Sequence, residues 1–185
     1  MFARTERLLL RPGWAEDAPA LARAIGEEAI VRNLASAPWP YDLSAAEAFL
    51  ATERAPNEAS FLIFRRTSGA PQLIGAAGFG KRPDVDEVEF GYWIARPHWG
   101  LGYATEAGRA IVALARDSLR LERLSAGHFI DNPASGRVLE KLGFKPTGRV
   151  VRRYSCGRKA EAPSKLFELA LGERVELELV EAIAA

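Results

Sequence analysis

Glu87-Val88-Glu89-Phe90-Gly91-Tyr92-Trp93-Ile94-Ala95 is followed, after three residues, by Trp99-Gly100-Leu101-Gly102-Tyr103-Ala104-Thr105-Glu106. The first nine residues read as a strand, and the second segment is a glycine-turn that opens a helix predicted over 104–115. A second strand over 123–130 follows, then Asn132-Pro133-Ala134-Ser135 opens a helix over 134–142, with Gly143 marking its end. A turn that ends a strand and starts a helix gathers unpaired backbone N–H groups at the positive end of the helix dipole. That arrangement suits a diphosphate. A ligand with a pyrophosphate is therefore the first inference. A Rossmann dinucleotide site is the competing one, but its third glycine would fall at Thr105 and the strands before the turn read as antiparallel.

Working outward, Arg7-Leu8-Leu9-Leu10-Arg11 reads as a short strand stopped by Pro12, and helices are predicted over 17–25 and 27–34. The segment Ala37-Pro38-Trp39-Pro40-Tyr41-Asp42 must be irregular, after which Ser44 with Glu47 three residues on predicts a capping box for a helix to about Arg54. Strands over 60–65 and 73–79, joined by Ser68-Gly69-Ala70-Pro71, form an antiparallel meander with the strand over 87–95. Closing strands are expected over 144–154 and 165–171. The tail over 173–183 reads as either helix or strand.

Composition narrows the function classes. The 185 residues are 48% hydrophobic and 26% charged, as in an ordinary globular chain expected to form one domain, 1–185, with 171–185 as a C-terminal extension. A net charge of +1 favours neither nucleic acid nor a membrane surface as partner. No apolar run approaches bilayer length, and the first residues lack the apolar core of a signal peptide, so a cytoplasmic monomer or small oligomer such as a homodimer is expected. One cysteine, Cys156, and two histidines, His98 and His128, make a disulfide framework or a structural zinc site an unsuitable reading, and no metal is expected.

The motifs resemble those of the GCN5-related N-acetyltransferase superfamily, and within it the Rim-type branch that acetylates ribosomal-protein N-termini. The resemblance is carried by Thr5-Glu6-Arg7-Leu8-Leu9-Leu10-Arg11, Gly91-Tyr92-Trp93-Ile94, Trp99 to Ala107 and Asn132 to Phe144. It implies an α/β fold: a mixed, mainly antiparallel twisted sheet with flanking helices and a splayed parallel pair of neighbouring strands, here 87–95 and 123–130, that holds acetyl-CoA. Trp99, Gly102 and Ala104 fill the specified positions of the superfamily's Gln/Arg-x-x-Gly-x-Gly/Ala turn, with Trp99 departing from Gln or Arg. The implied reaction is direct acetyl transfer from acetyl-CoA to a primary amine by an acyltransferase. The acceptor is a protein or peptide N-terminus or a small amine, amino acid, polyamine or drug. A non-catalytic acyl-CoA sensor is the reading from another class.

The cofactor-binding candidates are thus Ile94, Trp99, Gly100, Leu101, Gly102, Tyr103, Ala104, Thr105, Asn132 and Ser135. Thr105 serves either the phosphates or its own backbone, and Asn132 either the pantetheine or the helix as N-cap. Glu89, mid-strand on a face shared with Gly91 and Trp93, is the candidate base, against a plain solvated carboxylate. Ser135 is by resemblance the acid that protonates the leaving thiolate, because Leu139 stands where many superfamily members carry a tyrosine. Trp39, Tyr41 and Trp93 are either acceptor-site wall or core. Arg149, Arg152, Arg153, Arg158 and Lys159 form either a solvated basic hairpin or a site for an acidic acceptor or the cofactor's 3′-phosphate.

Overall fold

A computed structural model describes residues 1–82 and 87–172, so the tail over 173–183 and Pro83 and Asp84 of the loop before residue 87 lie outside the described residues. Eight strands form one sheet: β1 (Ala3–Arg4), β2 (Leu8–Arg11), β3 (Ala59–Arg65), β4 (Gln72–Lys81), β5 (Val88–Ile94), β6 (Arg123–Phe129), β7 (Lys145–Ser155) and β8 (Ala160–Ala170). Their order is β1-β2-β3-β4-β5-β6-β8-β7. Among the described residues five α-helices accompany them: α1 (Ala18–Ile25), α2 (Glu28–Val31), α3 (Leu43–Ala51), α4 (Tyr103–Asp117) and α5 (Pro133–Lys141). The meander β2–β5 is antiparallel throughout, and β5 and β6 are the parallel pair.

The central strands carry apolar residues on both faces because both are covered. In β3, Phe61 and Ile63 join the larger core with Ala107 and Ile111 of α4 and Leu139 of α5. Leu62 and Phe64 point the other way, to a second core with Ala18 and Leu21 of α1 and Ala46 of α3. α4 buries Tyr103, Ala107, Ile111 and Ala115, one residue per turn, against the sheet. The first strands are pinned by Arg11, whose guanidinium grips both oxygens of Asp17 at 2.7 Å in a nearly buried pair and lies over the rings of Trp14 and Phe64.

Several expected boundaries move, for identifiable reasons. α3 is capped by Asp42, whose carboxylate accepts the Ala45 N–H at 2.9 Å, and not by a Ser44–Glu47 box. The extended backbone that a cap needs occurs at Asp42, so Ser44 is already inside the helix. That helix stops at Ala51, and α2 is a single turn where residues 27–34 were expected. β8 starts at Ala160, ahead of the expected 165, despite Pro163. The Pro163 carbonyl accepts the N–H of Ile130, just past the end of β6, so the missing Pro163 N–H falls where that ladder is ending and the pairing to β7 is undisturbed.

Candidate active site

β5 and β6 share one register pair, Glu89 with Ser125, although each strand has seven residues. Beyond that pair the strands part, and the β6-facing edge of β5 from Phe90 onward has no strand beside it. A cavity of about 440 Å³ occupies the opening. One half is walled by the start of α4 and by α5. The other lies across the sheet, against the end of α2 and the following Asn33-Leu34-Ala35. The gap is thus a passage through the sheet, with backbone groups along one side.

The glycine-turn closes one end of this passage. Gly100 and Gly102 have φ of +74° and +81°, conformations that oppose a side chain, and Gly102 is the N-cap of α4 without a side-chain cap. The first-turn N–H groups of α4 are therefore left for a ligand. The turn is held from outside. Arg7 donates to the Leu101 carbonyl at 3.0 Å, lies over the Tyr103 ring, and pairs with Glu106, which also accepts from Thr5 at 2.6 Å. Burial alone would raise the Glu106 carboxyl, but the bonds from Thr5 and from the Arg7 backbone and guanidinium hold it below its ordinary value. Trp99 donates its indole N–H to the Ile94 carbonyl at 2.6 Å, joining the turn to the end of β5.

Of the cofactor candidates, Ile94, Trp99, Gly100, Gly102, Tyr103, Ala104, Thr105, Asn132 and Ser135 line the cavity; Leu101, 52% exposed, does not. Asn132 caps α5, its side-chain oxygen accepting the Ser135 N–H at 3.4 Å, while still facing the cavity. Ser135 in the first turn of α5 accepts a bond from the Tyr92 hydroxyl at 3.0 Å.

Glu89 is placed differently from the expectation. Each of its oxygens is held by one nitrogen of the Arg153 guanidinium, at 2.6 and 2.5 Å, and Arg82 lies at 3.4 Å. Arg153, not Glu89, lines the cavity. Its side chain crosses from β7 over Ser164 and Gly127, where a Cβ on Gly127 would stand 2.9 Å from Nη1. Small residues on β8 and β6 thus make the groove in which the guanidinium lies. In the rest of the basic stretch, Arg152 pairs with Glu161 and Arg158 with Asp131. Trp39, Tyr41 and Trp93 all pack against the cluster of Ile25, Ile30, Val31 and Ala37, and of the three only Trp93 reaches the cavity. Cys156 donates its backbone N–H to Ala35 and does not line the cavity. Among the described residues no group of His, Cys, Asp and Glu is placed to hold a metal ion.

The acetyltransferase (GNAT) domain family matches residues 7–145, most of the sheet and the whole strand–turn–helix segment. The chain belongs to the GNAT acetyltransferase family. Its relatives include YoaA of Bacillus subtilis (strain 168), an uncharacterized N-acetyltransferase, 32% identical over 156 residues covering 81% of this chain and 85% of that one. The ribosomal-protein-serine acetyltransferase of Escherichia coli (strain K12) is 31% identical over 85 residues, 45% of each chain. Among solved structures, that of RimL, a ribosomal L7/L12 alpha-N-protein acetyltransferase in complex with coenzyme A, superposes with a TM-score of 0.74 at 17% identity, covering 92% of this chain and 98% of that one.

As a GNAT acetyltransferase the chain is an acyltransferase that uses acetyl-CoA. The residues present fit that substrate. The αL glycines and uncapped α4 N-terminus suit the diphosphate, and the unpaired edge of β5 suits a pantetheine amide chain. The basic stretch already contained Arg153; what sequence reading missed in this GNAT site is the cavity lining at Asn33-Leu34-Ala35 and Tyr92. Only Tyr92 carried a signal: strand alternation sets it opposite Trp93, toward α5.

Proposed function

We propose that this acetyltransferase modifies the α-amine at a protein or peptide N-terminus, with Ser135 as the acid for the leaving thiolate. The observation that carries the reading is the floor of the acceptor half. Gly91 lines it, and a Cβ built there would meet nothing within 4 Å, while the Arg153 guanidinium lies beside it in the groove over Gly127 and Ser164. The open space over Gly91, between Trp93 and the fixed Arg153 guanidinium, leaves room for the extended main chain that follows an N-terminal amine. The Rim-type relatives named above act on ribosomal proteins, which agrees with this choice. The chemistry agrees as well: an α-amine (pKa about 8) offers its lone pair near neutrality far more readily than a lysine side chain (about 10.4).

In the proposed reaction the amine attacks the thioester carbonyl directly, a C–N bond forms, and the C–S bond breaks with the electron pair leaving on sulfur. β5 backbone N–H groups facing the passage polarise the carbonyl. Ser135 gives a proton to sulfur. Glu89 holds Arg153 in its groove, and the amine's proton leaves through water.

The test is thiol release from acetyl-CoA with a panel of unblocked peptides, N-terminally blocked peptides containing lysine, and small amines. Turnover confined to unblocked peptides, with the acetyl group located at residue one by mass spectrometry, is expected. Turnover of amino acids, polyamines or aminoglycosides alone would overturn the choice of acceptor while leaving the chemistry intact.

A further inference from the structure

Tyr92 sits where the proton for the leaving group is needed, on the face of β5 turned toward α5. Its ring is stacked on Phe90 at 5.8 Å, which in turn stacks on Phe144, so its direction is set by packing. Its hydroxyl donates to Ser135 Oγ at 3.0 Å, and both side chains line the cavity. Burial pushes the phenol up to about 12, with the Ser135 bond as the smaller opposing influence, so Tyr92 holds its proton at neutral pH.

A serine hydroxyl has one proton to give and two lone pairs. With one lone pair occupied by Tyr92, the Ser135 proton is turned away from the phenol, and a hydroxyl that accepts a bond is a better donor. We infer that Tyr92 is a positioning and relay residue that aims the Ser135 proton at the departing sulfur and replaces it from its own hydroxyl. The inference rests on the acid role assigned to Ser135 above. As the C–S bond breaks, the Ser135 proton passes to sulfur and the Tyr92 proton passes to Ser135 Oγ. The phenolate is reprotonated through water by the proton that the acetylated amine sheds. No serine alkoxide accumulates, and the sum is amine plus acetyl-CoA giving amide plus coenzyme A.

The experiment is a double-mutant cycle on the full chain, Tyr92→Phe, Ser135→Ala and both, read by kcat, by KM for the amine and by acetyl-CoA affinity. Tyr92→Phe removes one oxygen and keeps the stacked ring, so the melting midpoint serves as the check on folding. Ser135→Ala is expected to lower kcat about a hundredfold, the lower range for a general acid. Tyr92→Phe is expected to lower kcat about tenfold, the value of one hydrogen bond, with KM and acetyl-CoA affinity unchanged. The double variant should be no slower than Ser135→Ala alone, and Ser135→Thr should keep both the rate and its dependence on Tyr92. Full activity of Tyr92→Phe beside a slow Ser135→Ala overturns the relay and spares Ser135. Additive losses also overturn it, since Tyr92 would then act independently. Full activity of Ser135→Ala removes the acid assignment itself.

Discussion

Replacing Glu89 with leucine takes from the Arg153 guanidinium the two short bonds that hold it in its groove. The two side chains are 20% and 15% exposed and share two short bonds. Removing one partner of a largely buried pair costs roughly 3–5 kcal/mol, and the residual exposure places Glu89→Leu near the lower end, about 3 kcal/mol. For a chain of this size that is a melting decrease of about 6–12 °C. Arg153→Met should cost less, about 1–2 kcal/mol, because Arg82 at 3.4 Å still faces the carboxylate. The double variant Glu89→Leu/Arg153→Met should recover most of the Glu89→Leu loss, since it removes the guanidinium together with its carboxylate and gives up only the longer Arg82 contact. Glu89→Gln separates structure from chemistry: the amide oxygen still accepts from Arg153, and kcat should stay within about threefold, against the hundredfold or more that losing a general base brings. Thermal melts of the four variants and steady-state rates well below the midpoints provide the data. A hundredfold loss of kcat in Glu89→Gln at unchanged melting temperature, or strictly additive stabilities, would refute the reasoning and restore Glu89 as the base.

Three further outcomes follow from the same geometry. Gly91→Leu points into open space on the acceptor side, so stability should change by less than about 0.5 kcal/mol while the amine KM rises and acetyl-CoA affinity holds; calorimetry and kinetics on the same preparation check this. Gly102→Ala places a side chain at φ +81°, a left-handed strain of about 1–2 kcal/mol that should weaken acetyl-CoA binding by about tenfold, read by titration. Burial alone would raise the Asp17 carboxyl, but bonds from Arg11 and the Trp14 N–H bring it below its ordinary value. Its folded pKa is therefore below its unfolded one, so the stability it contributes is complete above roughly pH 5 and is lost as pH falls through the folded value. Urea midpoints between neutrality and acid should fall with pH in the wild type and fall less in Asp17→Asn.

The stretch from 87 to 144 was legible because its signals are local. Glycines at 100 and 102 answer to positive φ, Asn132-Pro133 to a helix start, and Gly143 to a helix end with φ +92°. The parallel β5–β6 pair, though distant in sequence, was expected from the family resemblance. The half of the cavity across the sheet from α4 and α5 was harder to read because it is assembled from distant pieces. Arg153 reaches Glu89 from 64 residues away, and only because Gly127 and Ser164, on two intervening strands, are small. Read alone, Glu89 looked like an available carboxylate; the fold supplies its partner. Trp39 and Tyr41 were expected as acceptor wall or core, and their packing against Ile25, Ile30, Val31 and Ala37 sets them behind the surface that Trp93 presents. The Asp42 cap shows the limit of motif reading, since Asp42 and Ser44 are both good caps and only the backbone conformation chooses between them.

Calorimetric titration of the purified protein with acetyl-CoA, beside Gly102→Glu and with NAD as the control nucleotide, tests whether the glycine-turn binds the cofactor. Saturable binding of acetyl-CoA but not NAD, lost when a carboxylate is set among the N–H groups at the start of α4, is the predicted result. Folded wild-type protein that takes up no acetyl-CoA, or a Gly102→Glu variant that binds it unchanged, would contradict the assignment of the glycine-turn and the β5–β6 passage as the acetyl-CoA site.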